Sequence, residues 1–579
     1  MSNKFYCIKS AHQEVNVREL KVMGFKKKLA VVFLVSVMLI MNISAIHGYA
    51  YKDLPEDIRI GIYFERSAVA STTIGSQTGF EIGYEKDGQF VSLFSDAAVK
   101  ALVVRKDTFF AKNGDQMQEY SLNGPNIPQG KKYGPYHIQL EGNYSNYDSA
   151  MQQVDSLGQK GLKAFPAFTG GSFKVWTGLY TSQQEAQDAL EQVQRLAEGK
   201  NCSVITPNSS RIQILLPGKE EPELIFENNP FSLLVQPLPG KGQIPLVNIN
   251  GKDYRGGVEF KRFSDSDMTV INVVNFEEYL YGVLPYEMGG SWPLEALKAQ
   301  AVAARTYAAL HMNKYAKYGF NLCSTTASQV YGGYKGEQPN CTKAVEETRG
   351  KILTYNGKPA YIYYFSTSGG YTEDIRNVWG GPGVPYLVGV EDKYEPTEKA
   401  DRGIWKIEMT PEKVEELLKA QNYDLGKIIS IKPIEYSAAG RVIKLRITGT
   451  KGEHTFERDK TRTIFGANFV NSQYYTISTD SDIYAAGKNV KNPTLTTGSE
   501  IKVISSKGVT SINPSIGRLY TKGANTKKSY AITPQLYTFN GKGWGHGVGL
   551  SQWGARGMAE AGFKYDEILT HYFPGTQVE

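Results

Sequence analysis

At 579 residues the chain has room for about three to five structural units of ordinary size. Hydrophobic residues make up 41% and charged residues 21%, which fits packed globular domains and excludes a disordered or collagen-like chain. The net charge of +7 is concentrated at the start, where the first fifty residues carry seven basic and two acidic side chains; the remainder is nearly balanced, so no nucleic-acid partner is implied.

Lys26, Lys27 and Lys28 precede an apolar run from Leu29 to Met41 broken only by Ser36, the layout of an export signal. Gly48-Tyr49-Ala50 offers a small-x-small cleavage site before Tyr51, and Met23 is an alternative start. Continued to Ile46, the stretch also suits an uncleaved anchor, so residues 1–50 read as an export signal or membrane anchor and as the one expected membrane contact. A high tyrosine count (37), with many Ser, Thr, Gly and Asn, suits an extracytoplasmic, strand-rich protein that meets polar ligands. Beyond Cys7, only Cys202, Cys323 and Cys341 remain; three thiols cannot all pair internally, which leaves one Cys323–Cys341 bridge or isolated thiols and no disulfide scaffold.

Residues 51–110 contain short alternating stretches such as IRIGIYF and FEIGY, read as strands of a main domain. Residues 111–134 are polar and turn-rich and read as a linker. Residues 135–205 carry an internal echo, in which Gly142-x-Tyr144-Ser145 recurs as Gly178-x-Tyr180-Thr181, each after a strand and before a helical pattern. With KAFPAF and CSVIT as further strands, the order is β-α-β-β-α-β. This unit is similar to the SPOR (sporulation-related repeat) domain. The resemblance implies binding to glycan strands of peptidoglycan, with Gln139 and Trp176 as candidate contacts to sugar amides and rings. Strand-like segments resume from RIQILLP, so the unit reads as an insertion into a main domain that continues through 206–579, giving an α+β fold overall.

The segment after Pro293 predicts a helix, because Leu294, Leu297, Ala301, Ala304 and Ala308 follow the spacing of one face, with Ser291 as candidate cap. Its other positions are mostly small or apolar, so it is expected to be buried on most sides, and Arg305 within it then needs an anionic or polar partner. Glu287 falls in the connection before that helix, among Leu284, Pro285, Tyr286, Met288 and Trp292. A carboxyl desolvated there keeps its proton towards neutrality.

VVNFEEYLYGVLPYEM followed by WPLEALKAQAVAARTYA, together with SQVYGG, STSGGYTEDIRNVWGG, GWGHGVGLSQWGARGMA and YDEILTHYFPGT, closely resembles the stage II sporulation protein D/LytB family over most of 271–579. The resemblance implies a lytic transglycosylase of peptidoglycan whose catalytic glutamate falls on Glu287 and whose important arginine falls on Arg305. One carboxyl suffices for that reaction, acting first as acid and then as base, because the sugar's own C6 hydroxyl replaces the attacking water. Arg305 beside Glu287 would oppose the acid role, so Arg305 is expected to face substrate or another acceptor.

Gln329, Tyr331, Ser366, Ser368, Gly369, Trp379, His546 and Gln552 are further candidates for the substrate groove. A phosphate-loop reading of the glycine-rich block fails for want of a following GKS or GKT. Zinc-binding family members place a His-Cys pair a few residues after a cysteine. Here Ala327 and Ser328 occupy those positions after Cys323, so no metal or other cofactor is expected. Phe365 also departs from the family, which often has His there. The competing expectation, carried by the LytB name, is a non-catalytic wall-binding modifier that enhances a separate cell-wall amidase; a metallo-amidase is a third reading. In every case the expected location is outside the cytoplasm, in the wall or anchored to the membrane.

Overall fold

The computed structural model describes residues 54–579 apart from 115, 228, 264–265, 468, 486–493, 498–500, 507, 512–516 and 523–525; the segment 1–50 read as export signal or anchor, and Cys7 within it, lie outside the described residues. Among the described residues no helix is long and apolar enough to cross a membrane.

The fold is mixed, with helices and strands both well represented. Its first sheet has seven strands, in the order Leu322–Cys323, Asp57–Tyr63, Thr269–Asn275, Gly257–Lys261, Leu233–Pro237, Phe80–Lys86 and Gln89–Asp96. The sequence TVINVVN runs down its middle as a β-branched stretch buried on both faces, as a central strand requires. Strands before residue 107 therefore pair with strands after residue 210, as in the register of Ile60 with Asn272.

The second sheet makes the same junction. Ala101–Lys106 lies antiparallel to Arg211–Leu215, with Arg105 opposite Gln213, so the chain leaves the main sheet after Lys106 and returns at Arg211. The excursion begins differently from the expected linker: Phe110–Asn113, Gln116–Glu119 and Lys131–Tyr133 form a three-stranded sheet. It is held down by Lys112 and Lys131, whose ammonium groups lie 2.9 and 2.7 Å from Glu220. Polar, turn-rich composition reads as linker, but it also suits the short strands of a small docked sheet whose lysines reach an acidic neighbour.

Strand Tyr136–Tyr144, helix α1 (Tyr147–Gln159), strands Ala164–Thr169 and Ser172–Tyr180, helix α2 (Gln183–Leu196) and strand Cys202–Ile205 follow in that order. The repeated Gly-x-Tyr-Ser/Thr marks each strand-to-helix corner. Gly178 has φ +77 and a Cβ there would lie 2.0 Å from the Tyr180 ring. The residue after each motif caps its helix, Asn146 accepting from Ser149 N (2.9 Å) and Ser182 from Glu185 N (3.1 Å). The four strands do not form a closed unit, because Ala164–Thr169 pairs in parallel with Leu224–Glu227 of the main sheet. One continuous ten-stranded sheet results.

Three helices follow, α3 (Phe276–Glu287), α4 (Leu294–Leu310) and α5 (Pro339–Glu347), and near the carboxyl end α6 (Gln552–Glu560) and α7 (Tyr565–Tyr572). All four of the others contact α4. Its alanines explain this, since small side chains let several neighbours approach at once. Ala296, Leu297, Ala299, Ala301, Val302, Ala303, Ala304 and Ala308 are fully buried. Ser291 is not the cap of α4; Pro293 holds the N-cap position with no side-chain hydrogen bond. A further core gathers Trp405, Val414, Leu418, Leu445, Ile447, Phe456 and Phe539 between helix Pro411–Lys419 and two three-stranded sheets.

Candidate active site

Glu287 is the last residue of α3, not a loop residue. Pro285 lies within the final turn and its missing N–H deprives the Tyr281 carbonyl of a helical partner, so the helix stops two residues later. A carboxylate at this end meets the negative pole of the helix dipole, which disfavours its charge. Burial pushes the Glu287 pKa above the ordinary glutamate value, while hydrogen bonds from Tyr364 and Gln552 pull it down less strongly.

Both partners are neutral. Tyr364 Oη lies 3.3 Å from Glu287 Oε1, and Gln552 Nε2 makes a long contact of 3.5 Å to Oε2. Tyr364 and Gln552 converge because strand Tyr364–Phe365 runs parallel to Leu550–Ser551, setting Tyr364 opposite Leu550 just before α6 begins. Behind Tyr364, Gln329 Nε2 donates to its hydroxyl (3.2 Å) and Gln329 Oε1 accepts from Tyr279 (3.1 Å). This aims the tyrosine proton at Glu287. Gln329 itself is only 1% exposed, which corrects its expected place against substrate: it supports Tyr364 from inside. Tyr331 is corrected likewise, being buried with its hydroxyl donating to Asn272 Oδ1 at 2.9 Å and its ring against Tyr279.

Arg305 does not reach a substrate surface. It is fully buried, and its guanidinium donates to both oxygens of Glu277 (2.6–3.2 Å), to Lys351 O (3.0 Å) and to Val345 O (3.3 Å). Glu277 also accepts from Gly350 N at 3.0 Å. The arginine thus ties α4 to the start of α3 and to the turn after α5. Of the two expected alternatives, substrate or another acceptor, the structure supplies the acceptor: the charge of Arg305 is spent on Glu277.

The Ser-Thr-Ser-Gly-Gly turn is largely internal. Ser368 N and Gly369 N donate to the two oxygens of buried Glu395 (2.5 and 2.8 Å), which also accepts from Ser551 Oγ (2.8 Å). Ser368 and Gly369 are therefore corrected from substrate contacts to braces of an inner carboxylate. Ser366 stays partly exposed, and its carbonyl accepts from Trp553 N at 3.0 Å.

His546 is held by the glycine-rich block, where Gly547 adopts φ +87 and a Cβ would lie 2.8 Å from Arg441 Cζ. Its Nδ1 accepts from Val548 N (3.1 Å). Burial and the nearby arginines Arg462 and Arg441 push its pKa down to about 3, so the ring is neutral, bonded to the Tyr364 carbonyl. Trp379, 44% exposed, packs on Tyr363 and His546 with ring centroids 4.7 and 5.0 Å away.

In the 136–205 unit, Trp176 is 2% exposed and donates to Gln139 Oε1 (3.0 Å). Arg211 lies over its ring at 4.9 Å and His137 stacks on it at 5.3 Å. Gln139 is thus bonded to a tryptophan that the main sheet covers, and Trp176 is no platform for a sugar. The sequence could not show this, because Arg211 joins the unit only through the continuous sheet.

The thiols are separate. Cys323 Sγ is ringed by the hydroxyls of Thr325, Tyr315 and Ser328 at 3.3–3.4 Å. Among the described residues no group of three or more His, Cys, Asp or Glu is placed to hold a metal ion.

Residues 264–355, which include Glu287 and Arg305, match the family model described as stage II sporulation protein. Residues 132–206 match the SPOR domain, and 395–498 match a domain of unknown function. An uncharacterized protein of Brachyspira hyodysenteriae is 33% identical over 332 residues, 57% of this chain and 73% of the relative. Stage II sporulation protein D of Bacillus subtilis (strain 168) is 29% identical over 323 residues, 53% of this chain and 74% of that protein. The chain belongs to the stage II sporulation protein D/LytB family. The amidase enhancer of Bacillus subtilis (strain 168) is 36% identical over 344 residues, 57% of this chain, and the match spans 44% of the enhancer's length. Within this family the present chain carries a SPOR domain.

Proposed function

We propose that the chain is a peptidoglycan lytic transglycosylase, exported to the cell wall, that cleaves the bond between N-acetylmuramic acid and N-acetylglucosamine in strands stripped of stem peptides. The observation that carries this reading is the environment of Glu287: a partly exposed carboxyl at the carboxyl-terminal pole of a helix, contacted by neutral donors and, among the described residues, paired with no cation. Such a group holds its proton towards neutrality and gives it to the glycosidic oxygen as the bond opens. As a carboxylate it then takes the C6 hydroxyl proton, and that oxygen closes on C1 to leave a 1,6-anhydro end. Tyr364 and Gln552 steady the carboxylate between the two steps. Trp379 and Ser366 are the proposed sugar contacts from the sequence-derived set, and the SPOR domain docks the protein on glycan through a surface other than Trp176.

The test is to incubate the protein with amidase-treated glycan strands and look for anhydro-muramyl ends by mass spectrometry. Products from the native chain and none from Glu287→Gln support the reading; equal yields remove Glu287 from it. The relative named amidase enhancer favours a second reading, a glycan-binding protein that speeds a separate amidase. It predicts no sugar products from the native chain alone and faster stem-peptide release when an amidase is added.

A further inference from the structure

A cationic, aromatic patch lies beside the Glu287 site on the Gln552 side. Gln552 and Arg556 are four residues apart on α6 and so share a face, with about 6 Å between their Cβ atoms. Trp553 follows Gln552, and its ring lies 5.1 Å from that of Trp292, which comes from the connection directly after Glu287. The Arg556 guanidinium sits over both indoles, 5.4 Å from Trp292 and 4.9 Å from Trp553. Its side chain is 33% exposed. Its Nε donates to Glu560 Oε1 at 2.8 Å, and among the described residues neither terminal nitrogen makes a hydrogen bond. That leaves the edge suited to bidentate capture of a carboxylate.

We propose that Arg556, with Trp292 and Trp553 beneath it, is a subsite for the free lactyl carboxylate of a muramic acid next to the cleaved bond. The proposal rests on the glycan-cleaving reading and adds the basis of its substrate choice. An amidase that removes a stem peptide hydrolyses the amide on the lactyl group and leaves a carboxylate there. A strand still bearing its peptide has a neutral amide at that atom. The indoles offer flat faces to a sugar ring, and the guanidinium reads the charge that marks a stripped strand.

The experiment measures binding of the full chain in its Glu287→Gln form to stripped strands and to the same strands with their lactyl carboxylates amidated by carbodiimide coupling. Stripped strands are expected to bind about tenfold more tightly, with the difference shrinking as salt is raised. Arg556→Gln is expected to erase the difference and Arg556→Lys to keep part of it. Glu560→Gln, which changes the same helix face without removing the guanidinium, is expected to preserve it. Equal affinity for the two strands, a preference that survives Arg556→Gln (as it would if the patch served a protein partner), or its loss in Glu560→Gln would overturn the proposal. Failure of the glycan-cleaving reading appears separately, as the absence of anhydro ends when the native chain is given stripped strands.

Discussion

The two ends of α3 treat a carboxylate in opposite ways. Glu277 lies in the first turn, where the helix dipole favours negative charge, and is held by the buried Arg305 guanidinium and the Gly350 N–H. Glu287 lies at the last residue, where the dipole opposes charge, and meets a tyrosine hydroxyl and a glutamine amide. The first acid is a structural fastener paired with a buried cation; the second has its pKa raised by burial and is partly open to solvent. A glutamate and an arginine that lie close in sequence need not be partners in one site. Here each charge belongs to a separate task.

Replacing Glu287, or the cation that holds Glu277, tests that division. Glu287→Gln is expected to lower glycan cleavage by about 10²–10⁴-fold with little change in stability, read as anhydro ends and as a urea midpoint. Arg305→Ala is expected to do the reverse in kind, costing about 3–5 kcal/mol of stability by leaving Glu277 buried without its cation. Urea unfolding measures it, and a double change to Arg305→Met with Glu277→Leu should recover much of the loss. Unchanged stability in Arg305→Ala would place that residue in another role.

A third carboxyl, on Asp392, whose N–H donates to the Gly370 carbonyl, sharpens the contrast. Burial and the neighbouring Glu395 carboxylate push Asp392 up to about 7, its Oδ1 accepting from Tyr572 (2.7 Å) while its Oδ2 makes no hydrogen bond among the described residues. Because the folded pKa is raised, its contribution to stability is complete below about pH 4 and is lost as pH rises through about 7. Asp392→Asn should therefore raise stability at about pH 8 by about 1–3 kcal/mol and change it little at about pH 4, as thermal unfolding at the two pH values will show. The smallest effect belongs to Tyr364→Phe. Losing a hydrogen bond that favours the carboxylate moves the alkaline limb of cleavage upward by about half a pH unit.

Much of this was legible in the sequence where residue type and spacing carry the physics. The Ala-rich spacing of α4 gave a helix buried all round, and the doubled Gly-x-Tyr corner gave the strand-to-helix turns of the 136–205 unit. Glu287 and Gln552 came together as candidates and lie in contact. What sequence could not give was direction. Arg305 and Trp176 have residue types that suit substrate, yet both point inward, towards Glu277 and beneath Arg211. The backbone amides of Ser368 and Gly369, expected in the substrate groove, are used up by Glu395, a residue outside every quoted motif. Tyr364 escaped notice because its strand is two residues long and shows no alternation. Arg556 lies inside a quoted motif, but only the fold sets it over two indoles.

The proton on Glu287 is the quantity on which the account turns. The pH dependence of kcat/KM for release of 1,6-anhydro ends from stripped glycan measures it in the free protein. Activity is expected to fall towards alkaline pH with a midpoint above the ordinary glutamate value, shifted upward in Tyr364→Phe. A midpoint at or below that value, or a profile that Tyr364→Phe moves downward, would contradict it.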